Sequence, residues 1–213
     1  MDGTSQAEQA IQYLQSALQK DGYATSLQTF SYYSYDEDDQ VDGVNVLAVK
    51  PGASPREIVV AAHYDSVDDV DGADDNASGV AVLLSAAARL KDVQTPSTIR
   101  FVSFGAEEND LDGPRYFVGH LGSQEKKNVV ALLNLDSLIA GDKTYAYGEG
   151  GSVSLRDWIG AAAAGRHPDG SQRPPGPGLL RRPAVRLRRF RPVPRRRHPV
   201  RLLRGHGPGI RQR

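Results

Sequence analysis

Cysteine is absent from this chain of 213 residues, so it holds no disulfide and no thiolate metal site. Any metal must therefore be held by histidine, aspartate and glutamate. No run of eighteen apolar residues occurs, and nothing in the sequence predicts a membrane-spanning helix. The opening Met1-Asp2-Gly3-Thr4 has neither a basic start nor an apolar stretch behind it, so no signal peptide is expected in the chain as it stands. Net charge is missing as well, with 26 Lys and Arg against 26 Asp and Glu.

That balance hides two unlike segments. Residues 1–160 carry 25 acidic and 11 basic residues, a net of −14, whereas residues 161–213 carry 1 acidic and 15 basic residues, a net of +14. Every base of the second segment is arginine, and nine of the 13 prolines lie there. Segments this different rarely share one core. The chain accordingly divides into a domain over 1–160 and an Arg/Pro/Gly-rich tail over 161–213.

Within the first segment, Ser5-x-x-Glu8 has the pattern of a capping box. Behind it Ile11, Leu14, Ala17 and Leu18 follow the helical period, and Gly22 stands just past the end. Residues 27–33 alternate as a strand, and 36–39 form an acidic turn. Short apolar runs at 44–49, 58–62, 99–104 and 129–135 read as strands, and 78–90 reads as a helix apolar nearly all round. The order predicts an α/β fold of three layers, a mostly parallel mixed sheet covered by helices and incomplete at the C-terminus. In such sheets the ligand site lies beyond the carboxyl ends of the strands.

Polar residues gather at those ends. After 58–62 comes His63-Tyr64-Asp65-Ser66, and a loop with Asp68, Asp69 and Asp71 leads to Gly72-Ala73-Asp74-Asp75-Asn76-Ala77-Ser78-Gly79. After 99–104 comes Gly105-Ala106-Glu107-Glu108, and 129–133 leads into Asn134-Leu135-Asp136. A lone Asp at a strand end is usually a turn or cap residue, and paired Glu is usually solvated surface. One histidine and four carboxylates at separate strand ends are harder to obtain by accident.

These runs resemble the motifs of the bacterial leucine aminopeptidase family of co-catalytic zinc exopeptidases, which also includes glutaminyl cyclases and the peptidase-like domain of the transferrin receptor. The resemblance covers about residues 5–160, in order and with family-like gaps. It implies that Asp75 bridges two zinc ions (Zn2+), that His63 and Asp136 complete one metal site and that Glu108 ligates the other. It further implies Glu107 as general base, Asp65 behind His63, and the N-termini of peptides or proteins as substrate. Zinc takes imidazole and carboxylate ligands, and a non-ligating Glu can move the proton of an acidified water. Asp65 stands where it could accept the other imidazole N–H. The expected activity is metallo-aminopeptidase hydrolysis. Glutaminyl cyclisation on one zinc and a non-catalytic pseudo-peptidase are the alternatives. A calcium loop is a further metal reading, since Asp74-x-Asn76-x-Ser78-Gly79 matches half of an EF-hand, but its twelfth position is Ser85 rather than Glu.

The family pattern breaks late. It calls for one more histidine, in a Ser-Asp-His-x-x-Phe context, and this chain has only His120, His167, His198 and His206 after the Glu pair. His120 reads as a surface helix residue, and the other three lie in the tail. The tail itself reads as a disordered extension, as a basic arm for nucleic acid, or as GC-rich coding sequence translated out of frame. The last reading is favoured, because shifting 178–185 by one base permits Gly-Tyr-Ser-Asp-Asp-Gln-Pro-Phe, a version of the late motif. The shift places Asp or another small residue where the family has its ligand. Proteins of this family are often secreted, and the chain starts abruptly at its first helix.

Overall fold

The computed structural model describes residues 5–140, 146–148, 155–163 and 185–187. Helix α1 (Ser5–Lys20) leads into a long hairpin of β1 (Thr25–Ser34) and β2 (Asp39–Lys50), closed by the acidic turn. Strand β3 (Glu57–His63) follows, then a wide turn over Ala73–Ser78 that runs directly into α2 (Gly79–Leu90). Strand β4 (Thr98–Phe104), helices α3 (Asp112–His120) and α4 (Ser123–Asn128), and β5 (Val129–Asn134) complete the centre. Short β6 (Ala146–Gly148), helix α5 (Leu155–Ala163) and β7 (Val185–Leu187) come last.

The strands form one mixed sheet in the order β1-β2-β4-β3-β5-β7-β6. Its middle, β4-β3-β5, is parallel, and the β1–β2 hairpin adds to it antiparallel through β2. Beyond β5, β7 pairs antiparallel and β6 runs parallel to β7. The expected mixed sheet covered by helices is therefore present. Of the tail expected over 161–213, only the last residues of α5 and strand β7 fall among the described residues, and the remainder lies outside them.

Alternation along the strands builds two cores. Ala62, Ile99 and Phe101 face Leu14 and Leu18 of α1 and Leu83 and Ala87 of α2. Val59, Ala61, Val102 and Phe104 face the other way, onto Phe117 of α3 and Leu121. Successive side chains of a strand point to opposite faces, so one apolar run feeds both layers. Phe101 and Phe117 are almost wholly buried, and each such ring stabilises the fold by roughly 2–3 kcal/mol.

Register then decides where the chemistry sits. His63 pairs with Phe104, and Ala61 pairs with Asn134, so β3, β4 and β5 end at the same edge. Backbone bonds continue the alignment past the strands: Tyr64 N–H donates to the Phe104 carbonyl at 2.9 Å, and Leu135 N–H donates to the Ala61 carbonyl at 2.8 Å. Three loops are thereby delivered to one place. Among the described residues no helix is long and apolar enough to cross a membrane.

Candidate metal centre

His63 ends β3 with its side chain only 2% exposed. Its Nε2 lies 3.0 Å from Asp75 Oδ1, 3.6 Å from Asp136 Oδ1 and 3.9 Å from Glu107 Oε2. The other nitrogen, Nδ1, donates to the Asp65 backbone carbonyl at 3.1 Å, and the Asp65 carboxylate stands 3.5 Å away. The expected contact behind His63 is thus made chiefly by the Asp65 main chain. The second oxygen of Asp65, Oδ2, accepts the Glu108 N–H at 3.0 Å. Asp65 therefore ties the histidine to the loop that bears both glutamates.

Ligand atoms of His63, Asp75 and Asp136 all lie within 4.8 Å of one another. Asp136 is partly buried and Asp75 half-exposed, and carboxylates crowded this closely repel one another unless a cation offsets them. Without a metal the imidazole takes that part. Burial favours its neutral form, but the nearby carboxylates of Asp136 and Asp65 and the charge of Glu107 outweigh this and push its pKa up to about 11. Burial raises the Glu107 carboxyl, the His63 charge pulls it down, and Asp65, Asp136 and Glu108 push it up again, to about 7. Glu108 is also raised, first by burial and then by Asp75. One nitrogen and two carboxylate oxygens in this arrangement, with further carboxylates beside them and no thiolate, fit a zinc ion.

Side chains that the sequence reading weighed only as a calcium loop or as part of the motif hold the cluster together. Asn76, 1% exposed, donates from Nδ2 to the Leu135 carbonyl at 2.9 Å and accepts the Gly79 N–H at 3.0 Å. This clamp joins the Asp75 turn to the Asp136 loop. A Cβ at Gly79 would lie 2.3 Å from both Asn76 Oδ1 and the Leu135 carbonyl oxygen, so the approach requires glycine. Ser78 Oγ donates to the Asp74 carbonyl and accepts the Leu138 N–H, at 2.6 and 2.9 Å. Asp74 Oδ1 accepts the N–H groups of Ile139 and Ala140, at 2.8 and 3.0 Å. Asp74, Asn76 and Ser78 are thus engaged with protein backbone, which removes three ligands from the calcium-loop reading. The only sequence signal for them was the polar run itself.

The remaining expected residues sort as follows. Glu107 and Glu108 flank the cluster on the loop after β4, with Glu108 more exposed than Glu107. His120 ends α3 exposed, its Nδ1 2.8 Å from the Tyr116 carbonyl and its ring stacked on Tyr116 at 3.8 Å. It is a surface helix residue, as the sequence suggested. His167, His198 and His206 lie outside the described residues.

A family model described as peptidase family M28 matches residues 45–177. The chain is 35% identical over 166 residues to the alkaline phosphatase isozyme conversion protein of Escherichia coli K12, covering 68% of this chain and 48% of that one. It is 42% identical over 95 residues to aminopeptidase YwaD of Bacillus subtilis 168, covering 43% and 21%. The chain thus spans about half, or less, of the length of these curated relatives. Among solved structures, the aminopeptidase from Aneurinibacillus sp. strain AM-1 shares the fold with a TM-score of 0.69 at 17% identity, over 77% of this chain and 73% of that one.

Proposed function

The chain belongs to peptidase family M28, and we propose that its site is that of a zinc-dependent aminopeptidase acting on the free N-terminus of a peptide. The observation that carries this reading is the convergence of Asp75, Asp136 and Glu107 on the buried Nε2 of His63, within 3.0 to 3.9 Å. His63, Asp75 and Asp136 would hold one zinc, with Asp75 shared toward a second that Glu108 would meet. Bound zinc supplies Lewis acidity, polarising the scissile carbonyl and lowering the pKa of water beside it.

The protein's own groups do the rest. Asp65 fixes the tautomer and direction of His63 by engaging Nδ1, which leaves Nε2 facing the carboxylates. Glu107, partly buried 3.9 Å from His63 Nε2, takes a proton from the attacking water and delivers it to the departing amine. Asn76, Ser78 and Asp74 hold the Asp75 turn and the Asp136 loop at fixed separation. Preorganised carboxylates of this kind need little rearrangement during reaction.

The test is release of a chromogenic amine from an aminoacyl substrate by the purified chain, with zinc analysed in parallel. Hydrolysis that tracks zinc content and stops with chelator supports the reading. Hydrolysis indifferent to chelator sinks it. Two zinc ions per chain would separate hydrolysis from the one-zinc cyclase alternative, and folding without metal uptake would favour a pseudo-peptidase.

A further inference from the structure

The segment bearing Glu107 and Glu108 leaves β4 and returns as α3 through an unusual path. Ala106, Asp110 and Leu111 all adopt left-handed backbone angles, with φ of 48, 63 and 67 degrees. Non-glycine residues hold such angles only where their surroundings over-determine them. Two asparagines outside the metal cluster supply that constraint.

Asn45 sits on β2 with none of its surface exposed (0%). Its Oδ1 accepts the Gly105 N–H at 3.2 Å, and its Nδ2 donates to the Gly113 carbonyl and to Gln28 Oε1, each at 3.0 Å. One carboxamide thus joins the two ends of the loop. Those ends are packed so closely that a Cβ at Gly113 would lie 2.0 Å from the Gly105 carbonyl oxygen. Asn109 fixes the middle. Its Nδ2 donates to the Tyr33 carbonyl and to Asp112 Oδ2, both at 2.8 Å, and its Oδ1 accepts the Tyr35 N–H at 3.1 Å. Each amide uses donor and acceptor together, a combination that no carboxylate or hydrocarbon of the same size provides. A buried partner left unpaired would be costly, so the loop follows the amides.

We propose that Asn45 and Asn109 are positioning residues for the Glu107-Glu108 pair. Gripping the loop at its ends and middle, they set where the two carboxylates stand against His63. This rests on the zinc-peptidase reading for its consequence, but not for its geometry. A purely structural role would lower the melting temperature and leave the zinc affinity of the folded protein unchanged; a positioning role weakens zinc binding in variants that remain folded.

The full 213-residue chain carries the experiment, as wild type, Asn45→Asp and Asn109→Ala. Asn45→Asp keeps the acceptor for Gly105 and loses the donor to Gly113. Asn109→Ala removes a partly exposed tie and serves as the decisive variant should burying a charge at position 45 prevent folding. Amide exchange of Glu108, Leu111 and Asp112 is measured without metal, followed by zinc titration of the same samples. The expected result is exchange about tenfold faster at those amides, unchanged exchange in β3, and zinc affinity weakened about tenfold, in the range known for residues that orient metal ligands. Where turnover is measurable, kcat falls and KM holds. A folded Asn109→Ala protein with wild-type loop exchange and zinc affinity overturns the proposal, as does faster exchange with unchanged affinity. A wild-type chain that takes up no zinc refutes the peptidase reading instead, and the exchange comparison then decides the clamp by itself.

Discussion

Replacing Glu107 by glutamine should make the metal-free protein more stable near pH 8 while abolishing its role as a base. The Glu107 carboxyl is pushed from its ordinary value of 4.5 to about 7 in the folded chain. A carboxyl with a raised folded pKa contributes stability that is fully present below 4.5 and is lost as pH rises through 7. At about 1.4 kcal/mol per pKa unit, the full loss is on the order of 3 kcal/mol. Glutamine carries no such charge and escapes the loss. For a domain of this size that corresponds to roughly 6–12 °C in melting temperature. His63 complicates the raw curves, because its pKa of about 11 makes the metal-free fold lose stability from about pH 6.5 upward in both proteins. The difference between wild type and Glu107→Gln isolates the carboxylate. The assay is denaturant unfolding of chelator-treated protein at pH 4, 6 and 8. Coincident stability at pH 4 and a gap widening to pH 8 is expected. Parallel curves would show that Glu107 is not held in a desolvated, acid-rich setting, and the assignment of the base would lose its physical footing.

Because metal-free His63 is protonated up to about pH 11, zinc uptake at pH 8 should release about one proton per chain; calorimetric titration in buffers of different ionisation enthalpy measures it, and no buffer dependence would contradict the assignment. His63→Ala and Asp136→Ala should each weaken zinc binding more than about a hundredfold, beyond the range of an outer-shell change, as read by competition with a chromogenic chelator. Gly79→Ala places a methyl 2.3 Å from two oxygen atoms and should destabilise the fold by about 1–3 kcal/mol in a denaturant titration; an unchanged midpoint would mean that the turn yields freely. Finally, sequencing the coding DNA should reveal a gained or lost base between codons 156 and 166, whose correction restores a Ser-Asp-x-x-x-Phe motif. A confirmed frame would make the tail genuine.

The sequence by itself was enough to bring His63, Asp75, Glu107 and Asp136 to one edge of the sheet. Apolar runs ending in His63, Gly105 and Asn134 announce parallel strands, and chain direction alone then puts their polar successors at one edge. The candidate ligand types followed for a similar reason, since imidazole and carboxylate in a chain without cysteine leave few metals to consider. The contrast in charge between 1–160 and 161–213 is legible from composition alone, although helix α5 crosses that boundary and β7 joins the sheet. What the sequence could not express is which polar side chains face the His63 cluster and which face the backbone. Asp74, Asn76 and Ser78 look like ligands beside Asp75, yet the packing of the 135–140 loop turns them inward to N–H and carbonyl groups. Asn45 lies some sixty residues before Gly105 and Asn109 reaches back to the β1–β2 hairpin, pairings that exist only once β2 lies against β4. Buried amides take their partners from whatever the tertiary fold brings within about 3 Å, and one-dimensional pattern carries no record of that proximity.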